Sequence, residues 1–173
     1  MNILIAYFSK SGQNFGNPHL PVGYTGLLAG MINELAGGRL FEIAPAEPYP
    51  DDLDATVERA RAEAERDDCP ALAEPLPEPS GYDAVLLGYP IWNGRPPMVV
   101  QGLLRATGLD GVRLLPFCTH GGSGFGDSLA VLRGLCPGAR IEPGLAEYGT
   151  SVLERPERAR ARALAWLRGA GLA

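Results

Sequence analysis

The chain alternates between short apolar runs and longer segments with helical periodicity, and this alternation constrains the fold more than any other feature. Four runs are almost unbroken by polar residues: NILIAYF (2–8), RLFEI (39–43), DAVLLGY (83–89) and VRLLPFC (112–118). Strands that are covered on both faces in a parallel sheet have this character. A fifth, weaker run, RIEPGLAEYG (140–149), is interrupted by Pro143-Gly144, which indicates a bulge or an edge strand.

Each of these runs is followed by a helical pattern with an identifiable start. The start signals are Thr25, Asp51 or Asp52, Pro96-Pro97, Asp127 and Pro156. In the second helix, an apolar stripe is expected to face inward, formed by Leu53, Val57, Ala60 and Ala64. The alternation predicts an α/β fold: a doubly wound, five-stranded parallel sheet of order 2-1-3-4-5 with helices on both faces.

Composition narrows the class of protein. The chain has 173 residues, of which 46% are apolar and 20% charged, and this suits one globular domain spanning 1–173. The apolar runs are too short to span a membrane and leave no room for a secretory signal, so we expect a cytoplasmic location. A net charge of −5 argues against a nucleic-acid partner. The three cysteines include no C-x-x-C pair, so neither a disulfide framework nor a metal site is indicated.

The loop after the first strand has the character of an anion site. It reads SKSGQNFGNPHLPVGYT (9–25), is rich in hydroxyl groups and glycine, and leads into a helix N-terminus. Free backbone amides and the positive end of the helix dipole favour a phosphate at such a place. Lys10, the only lysine in the chain, lies in this loop. The alternative is an ordinary connecting loop, but such loops usually have about 2 to 6 residues.

Two further loops belong to the same edge of the predicted sheet, where ligands of doubly wound proteins bind. After the third strand comes GYPIWNGRPP (88–97), with Trp92 on a loop whose backbone is tightly restricted by proline and glycine. After the fourth strand comes THGGSGFGDS (119–128), whose glycines let backbone amides approach a flat polar ligand. A phosphate site, an aromatic ring and a surface of amides together suit a nucleotide with a broad planar ring.

At these three loops the sequence resembles the flavodoxin-like FMN-binding family. The matching segments are AYFSKSG (6–12), YPIWNGRPP (89–97) and FCTHGGSG (117–124), and FEIAPAEPYPDD (41–52) is also typical. The resemblance implies FMN as the cofactor. It places the phosphate at Ser9, Ser11, Gly12 and Thr25, with Lys10 and Tyr24 in the same loop, and the flavin ring against Pro90, Ile91, Trp92, Asn93 and Gly94. It places the pyrimidine edge of the flavin along Thr119, His120, Gly121, Gly122, Ser123 and Gly124.

The first loop departs from the compact S-G-N-T form of the family. QNFGNPHLPV intervenes, and Tyr24 takes the place of the asparagine. The insertion, residues 13–22, has two interpretations: a lid over the flavin or a mobile loop.

The resemblance leaves two redox functions open, and a flavin-free binding module is a third possibility. A one-electron carrier would dock a reductase or a partner oxidoreductase through the acidic second helix. An FMN-dependent NAD(P)H oxidoreductase would pass two electrons to a quinone-like acceptor. In relatives, the peptide that corresponds to Asn93-Gly94 turns its carbonyl toward flavin N5, and Gly94 makes this inexpensive. His120 either carries a charge that stabilises an anionic flavin N1 or only hydrogen-bonds its own loop.

Overall fold

The computed structural model describes the backbone of residues 1–173 and every side chain except those of Asn17 and Pro18. The strands are β1 (Ile3–Tyr7), β2 (Gly12–Asn14), β3 (Asn17–Leu20), β4 (Arg39–Glu42), β5 (Ala84–Pro90), β6 (Arg113–His120), β7 (Arg140–Ile141) and β8 (Leu145–Tyr148). The main sheet has the order β4-β1-β5-β6-β7, β8 also pairs with β6, and all of these pairs are parallel. The predicted order 2-1-3-4-5 is therefore confirmed, with the fifth strand in two pieces.

Helices cover both faces of this sheet, as predicted. They are α1 (Tyr24–Ala36), α2 (Leu53–Arg66), α3 (Met98–Ala106), α4 (Ser128–Leu135), α5 (Gly149–Glu154) and α6 (Pro156–Gly169), with a 3-10 turn at Pro79–Gly81. One apolar core lies between the sheet and α1, α5 and α6, and the other lies on the α3 and α4 side. Among the residues that the structure describes, no helix combines the length and apolar character that crossing a membrane requires.

The unbroken apolar runs follow from burial on both faces. In β1, Ile3 and Ile5 pack in one core, whereas Leu4 and Ala6 pack in the other. Side chains alternate between the faces of a strand, so a central strand has no position at which a polar side chain reaches water.

The fifth strand breaks where Pro143-Gly144 predicted a bulge or edge. A Cβ at Gly144 would lie 2.6 Å from the carbonyl oxygen of Pro116 and 2.5 Å from the ring of Phe125. The chain approaches β6 too closely here for any side chain, so β7 and β8 pair with β6 separately.

Two local expectations are wrong. Thr25 does not cap α1: Gly23 is the N-cap, and Thr25 lies inside the first turn with its side chain buried. The apolar stripe of α2 does not face inward, because Val57 and Ala64 are exposed and the buried positions are Thr56 and Glu63. Asp52, one of the two proposed caps of α2, is its N-cap and accepts from the Ala55 N–H at 2.8 Å.

The inserted segment folds as a β-hairpin rather than an irregular loop. β2 and β3 pair antiparallel, and Gly16 at the tip has a φ of 76°. Neither this hairpin nor the short helix α5 was expected from the sequence. Two interpretations were given for this insertion, a lid over the flavin or a mobile loop. As far as they concern the side chains of Asn17 and Pro18, they lie outside the described residues.

Candidate functional site

A cavity of about 340 Å³ opens where β1, β5, β6 and β8 end. Parallel strands share one carboxyl edge, so the loops that follow these strands meet there. The lining residues are Lys10, Asn14, Phe15, Tyr24, Leu53, Thr56, Val57, Ala60, Pro90, Ile91, Trp92, Asn93, Thr119, His120, Gly121, Tyr148, Gly149 and Thr150.

One end of the site is formed by the first loop and the start of α1. The Ser9 Oγ accepts a hydrogen bond from the Gly26 N–H at 2.8 Å, which holds the loop against the helix. A Cβ at Gly23 would lie 2.3 Å from the Lys10 carbonyl oxygen and 2.5 Å from the Ser9 Oγ, so only glycine fits the N-cap. The N–H groups of Tyr24 and Thr25 have no intrahelical partner by helix geometry. Backbone N–H groups at a helix N-terminus are the kind of donors that favour an anion.

Lys10 lies in this loop with its side chain folded back. It is 8% exposed, and its ammonium donates to the carbonyl oxygens of Ser11 at 2.6 Å, Gln13 at 3.3 Å and Asp51 at 3.1 Å. Burial lowers the pKa of Lys10, and the carboxylates of Asp51 and Asp52 oppose that shift. The ammonium is thus committed to the backbone of its surroundings.

The hairpin reaches from α2 across the mouth of the cavity. At its base, the Gln13 N–H donates to the Asp51 carbonyl at 3.0 Å and the Gln13 side chain accepts from the Leu53 N–H at 3.1 Å. At its tip, the Tyr24 hydroxyl donates to the Phe15 carbonyl at 2.8 Å. The Phe15 ring would lie 3.9 Å from a Cβ at Gly121, on the opposite side of the mouth. This arrangement has the geometry of a cover.

The second loop is a tight two-residue turn. Asn93 and Gly94 have φ values of 49° and 74°, and Trp92 and Arg95 exchange two backbone hydrogen bonds of 3.0 Å. Positive φ at both central residues defines a type I′ turn, for which Asn-Gly is a preferred pair. The Gly94 carbonyl accepts from the Asp127 N–H at 2.8 Å, which ties this turn to the third loop.

Aromatic packing fixes the indole of Trp92 at the cavity wall. The ring packs edge-to-face on Phe8 at 5.4 Å and on Tyr49 at 5.1 Å between centroids. Tyr49 is held in turn by Glu63, whose carboxylate accepts from the Tyr49 hydroxyl at 2.7 Å and from the Arg59 Nε at 2.8 Å. Desolvation and the Glu63 carboxylate raise the pKa of Tyr49 well above its usual range. Trp92 therefore belongs both to the core and to the site.

The third loop depends on glycine at three positions. Gly122, Gly124 and Gly126 have φ values of 140°, 59° and 51°, which other residues rarely adopt. The Cβ that Gly126 lacks would lie 2.7 Å from the Gly94 carbonyl oxygen, so the second and third loops pack backbone to backbone.

His120 is held as a neutral acceptor. Its Nδ1 accepts from the Gly122 N–H at 3.0 Å, so the proton of the neutral ring is on Nε2. Burial lowers the pKa of His120. The Glu147 carboxylate opposes this shift, and the Arg162 guanidinium adds to it. Its ring packs against Tyr148 at 4.5 Å between centroids. Of the two roles considered for His120, the loop hydrogen bond is the one present in this geometry.

The structure brings the three predicted loops together around one cavity. Nine predicted site residues line it: Lys10, Tyr24, Pro90, Ile91, Trp92, Asn93, Thr119, His120 and Gly121. Thr25 lies just behind, with its hydroxyl 2.7 Å from that of Thr119 and both side chains buried. The other predicted residues lie in the flanking parts of the same loops: Ser9, Ser11, Gly12, Gly94, Gly122, Ser123 and Gly124.

Two walls of the cavity were missed. Tyr148, Gly149 and Thr150 follow the fifth strand, and the same carboxyl-edge rule would have found them. Leu53, Thr56, Val57 and Ala60 come from α2, whose apolar stripe faces the cavity instead of the core. The sequence offered no signal for that orientation.

The comparisons with known proteins agree with this architecture. The model of the flavodoxin family matches residues 2–154, nearly the whole chain. The chain belongs to the flavodoxin family. No curated protein matches it.

Solved structures resemble this flavodoxin-family chain along most of its length. A protein from Bacteroides eggerthii that is described as a flavoprotein is 28% identical with a TM-score of 0.70, covering 91% of this chain and 97% of that one. A second, from Bacteroides uniformis, is 25% identical with a TM-score of 0.76, covering 96% and 97%. A flavoprotein from Lactobacillus acidophilus, solved in complex with FMN, is 23% identical with a TM-score of 0.68, covering 88% and 97%, and it supports the fold alone.

Proposed function

We propose that this chain binds FMN and transfers electrons through it. The observation that carries the proposal is the cradle at the start of α1, which opens beside the cavity that Trp92 lines. At Gly23 the first loop packs directly on the start of α1, because any Cβ there would collide with the Lys10 carbonyl and the Ser9 hydroxyl. Bound FMN supplies the electron chemistry, and the protein supplies binding, orientation and electrostatics.

The phosphate would lie against Ser9, Ser11, Gly12 and the N–H groups of Tyr24 and Thr25, with the cation of Lys10 nearby in the same loop. The ring would lie along the wall formed by Trp92, with the glycine-rich loop at 121–124 offering backbone donors to its polar edge. Offset stacking on an aromatic ring contributes about 0.5–1.5 kcal/mol beyond area burial. FMN needs an anion site for its phosphate and an apolar wall for its ring, and both would be provided at this one cavity.

A small planar acceptor is the finer part of the proposal. Phe15, Val57 and Tyr148 are 73%, 55% and 51% exposed, and all three line the cavity. Large apolar side chains that are exposed at the rim of a pocket mark a binding surface for an apolar partner. This favours two-electron reduction of a quinone-like acceptor, with NADH or NADPH as the donor.

One-electron transfer to a protein is the second candidate, because α2 carries exposed acids beside the cavity. Asp52, Asp54, Glu58 and Glu65 are exposed on this helix or at its start. An acidic face steers a basic partner toward the site, and such steering weakens with salt.

The cofactor proposal is tested by titrating the apoprotein with FMN, FAD and riboflavin. We expect one tight FMN site with weaker binding of riboflavin, which lacks the phosphate. A protein that binds none of these flavins would contradict the proposal.

The acceptor proposal is tested by steady-state oxidation of NADH or NADPH with a soluble naphthoquinone. Val57→Asp should raise the KM for the quinone about tenfold, because it places a charge on the apolar rim. Leu153→Asp is the matched control, since Leu153 is an exposed apolar residue on α5 that does not line the cavity. If the quinone does not accelerate the oxidation of NADH or NADPH, and Val57→Asp does not change the rate, the one-electron carrier is favoured instead.

A further inference from the structure

Lys10 uses all of its hydrogen-bonding capacity on the backbone. An ammonium group has three N–H donors. The three carbonyl oxygens that it contacts belong to Ser11, Gln13 and Asp51. A direct contact with a phosphate would therefore require one of these bonds to break.

The three carbonyls come from three different parts of the site. Ser11 lies in the anion loop, Gln13 lies in β2 of the hairpin, and Asp51 directly precedes Asp52, the N-cap of α2. The Asp51 carbonyl also accepts from the Gln13 N–H, so one oxygen takes two donors. The Lys10 ammonium thus joins the anion loop, the hairpin and the α2 wall at one point.

A cation is the group best suited to hold these three carbonyl oxygens together. Three carbonyl oxygens that converge on one point repel each other, and a charged donor makes hydrogen bonds about twice as strong as a neutral one. Three rotatable donors on a compact ammonium suit acceptors that arrive from different directions, whereas a planar guanidinium suits coplanar ones. Lys10 is only 8% exposed, so little water competes for these three contacts.

We propose that Lys10 is a positioning residue for the phosphate of the cofactor and does not contact that phosphate itself. By taking the carbonyls of Ser11 and Gln13, it turns carbonyl oxygens away from the anion site and leaves amide N–H groups to face it. Its backbone carbonyl packs on Gly23, the N-cap of α1, so the same residue also sets the position of the loop against the helix. The inference rests on the proposed FMN function.

The test compares the affinities for FMN and riboflavin in Lys10→Met, which keeps an unbranched side chain of nearly the same length and removes the charge. Arg61→Met is the matched control, because Arg61 is an exposed cation on α2 that pairs only with Glu65 among the described ion pairs. In Lys10→Met, we expect the ratio of FMN affinity to riboflavin affinity to fall about tenfold, which corresponds to about 1.4 kcal/mol. The affinity for riboflavin should stay close to that of the native protein. Arg61→Met should keep the native preference.

Equal weakening of both flavins in Lys10→Met would overturn the proposal, since it would indicate a purely structural role. An unchanged preference would overturn it as well. These outcomes can be distinguished from an error in the proposed FMN function itself, because in that case the native protein would bind neither flavin.

A second measurement keeps the proposal testable if Lys10→Met does not fold. Because Lys10 is the only lysine, an amine-acetylating reagent can modify only this side chain and the N-terminus. We expect mass spectrometry to show that Lys10 of the folded protein is acetylated far more slowly than in urea, and more slowly still with FMN bound. Equal rates in the folded and unfolded protein would show that the three carbonyl contacts are not formed.

Discussion

Two glycine-to-alanine changes in α1 should have opposite effects on stability. Gly23 is the N-cap, and its φ of −67° and ψ of 164° are open to alanine, so backbone strain is not the difficulty. The difficulty is space, because the new Cβ would lie 2.3 Å from the Lys10 carbonyl oxygen. Overpacking of this kind costs about 1–3 kcal/mol, and alanine is a poorer cap than glycine by about 1 kcal/mol. We expect Gly23→Ala to lower the free energy of unfolding by about 2–4 kcal/mol.

Gly30 is the matched position in the same helix. A Cβ there meets nothing within 4 Å, and alanine in a helix interior is favoured over glycine by about 0.5–1 kcal/mol. Gly30→Ala should therefore raise the free energy of unfolding and leave FMN binding unchanged.

Urea unfolding gives the stabilities of both variants, and fluorescence titration gives their FMN affinities. Gly23→Ala should weaken FMN by at least about tenfold, because the loop must move away from the helix to admit the methyl group. Native FMN affinity in Gly23→Ala, or the same sign of stability change in both variants, would refute the reasoning about this cradle.

Three further predictions concern the ring wall, its support and the third loop. Trp92→Ala should weaken FMN binding by about 2–3 kcal/mol in a fluorescence titration, whereas Trp166→Ala on α6 should not. Glu63→Gln should lower the free energy of unfolding, measured with urea, by about 1–3 kcal/mol, and Glu65→Gln at an exposed position should lower it by less than about 0.5 kcal/mol. Since burial lowers the pKa of His120 below about 6.5, the unfolded chain binds this proton first as pH falls. Stability should therefore decline below about pH 6.5, until the folded state also binds the proton, and His120→Gln should remove that part of the decline.

The sheet could be predicted because burial on both faces leaves a direct mark on sequence. Ile3, Leu4 and Ile5 are all fully or nearly fully buried, so the strand reads as a continuous apolar run. The order of strands then follows from general rules of chain crossover.

The orientation of α2 could not be predicted, because it depends on partners far away in sequence. Glu63 is buried where Tyr49 and Arg59 satisfy its carboxylate, and Thr56 is buried with its hydroxyl bonded to the Pro50 carbonyl at 2.8 Å. Periodicity identifies an apolar stripe, but it does not say whether the stripe meets the core or a cavity. Val57 therefore looked like a core residue and lines the site instead.

The three site loops were predictable from residue chemistry, whereas the role of single side chains was not. Lys10 was assigned to the anion site because it lies in the loop after the first strand, and that assignment stays a prediction. Its three carbonyl partners could not be foreseen, since Asp51 is distant in sequence and Gln13 lies in a hairpin that gave no clear strand signal.

Calorimetric titration of the apoprotein with FMN tests the central claim most directly. The account predicts saturation at one FMN per chain, a yellow product and quenched flavin fluorescence, with riboflavin binding more weakly. No heat of binding at FMN concentrations well above micromolar, and no yellow colour left on the protein after free FMN is removed by gel filtration, would contradict it.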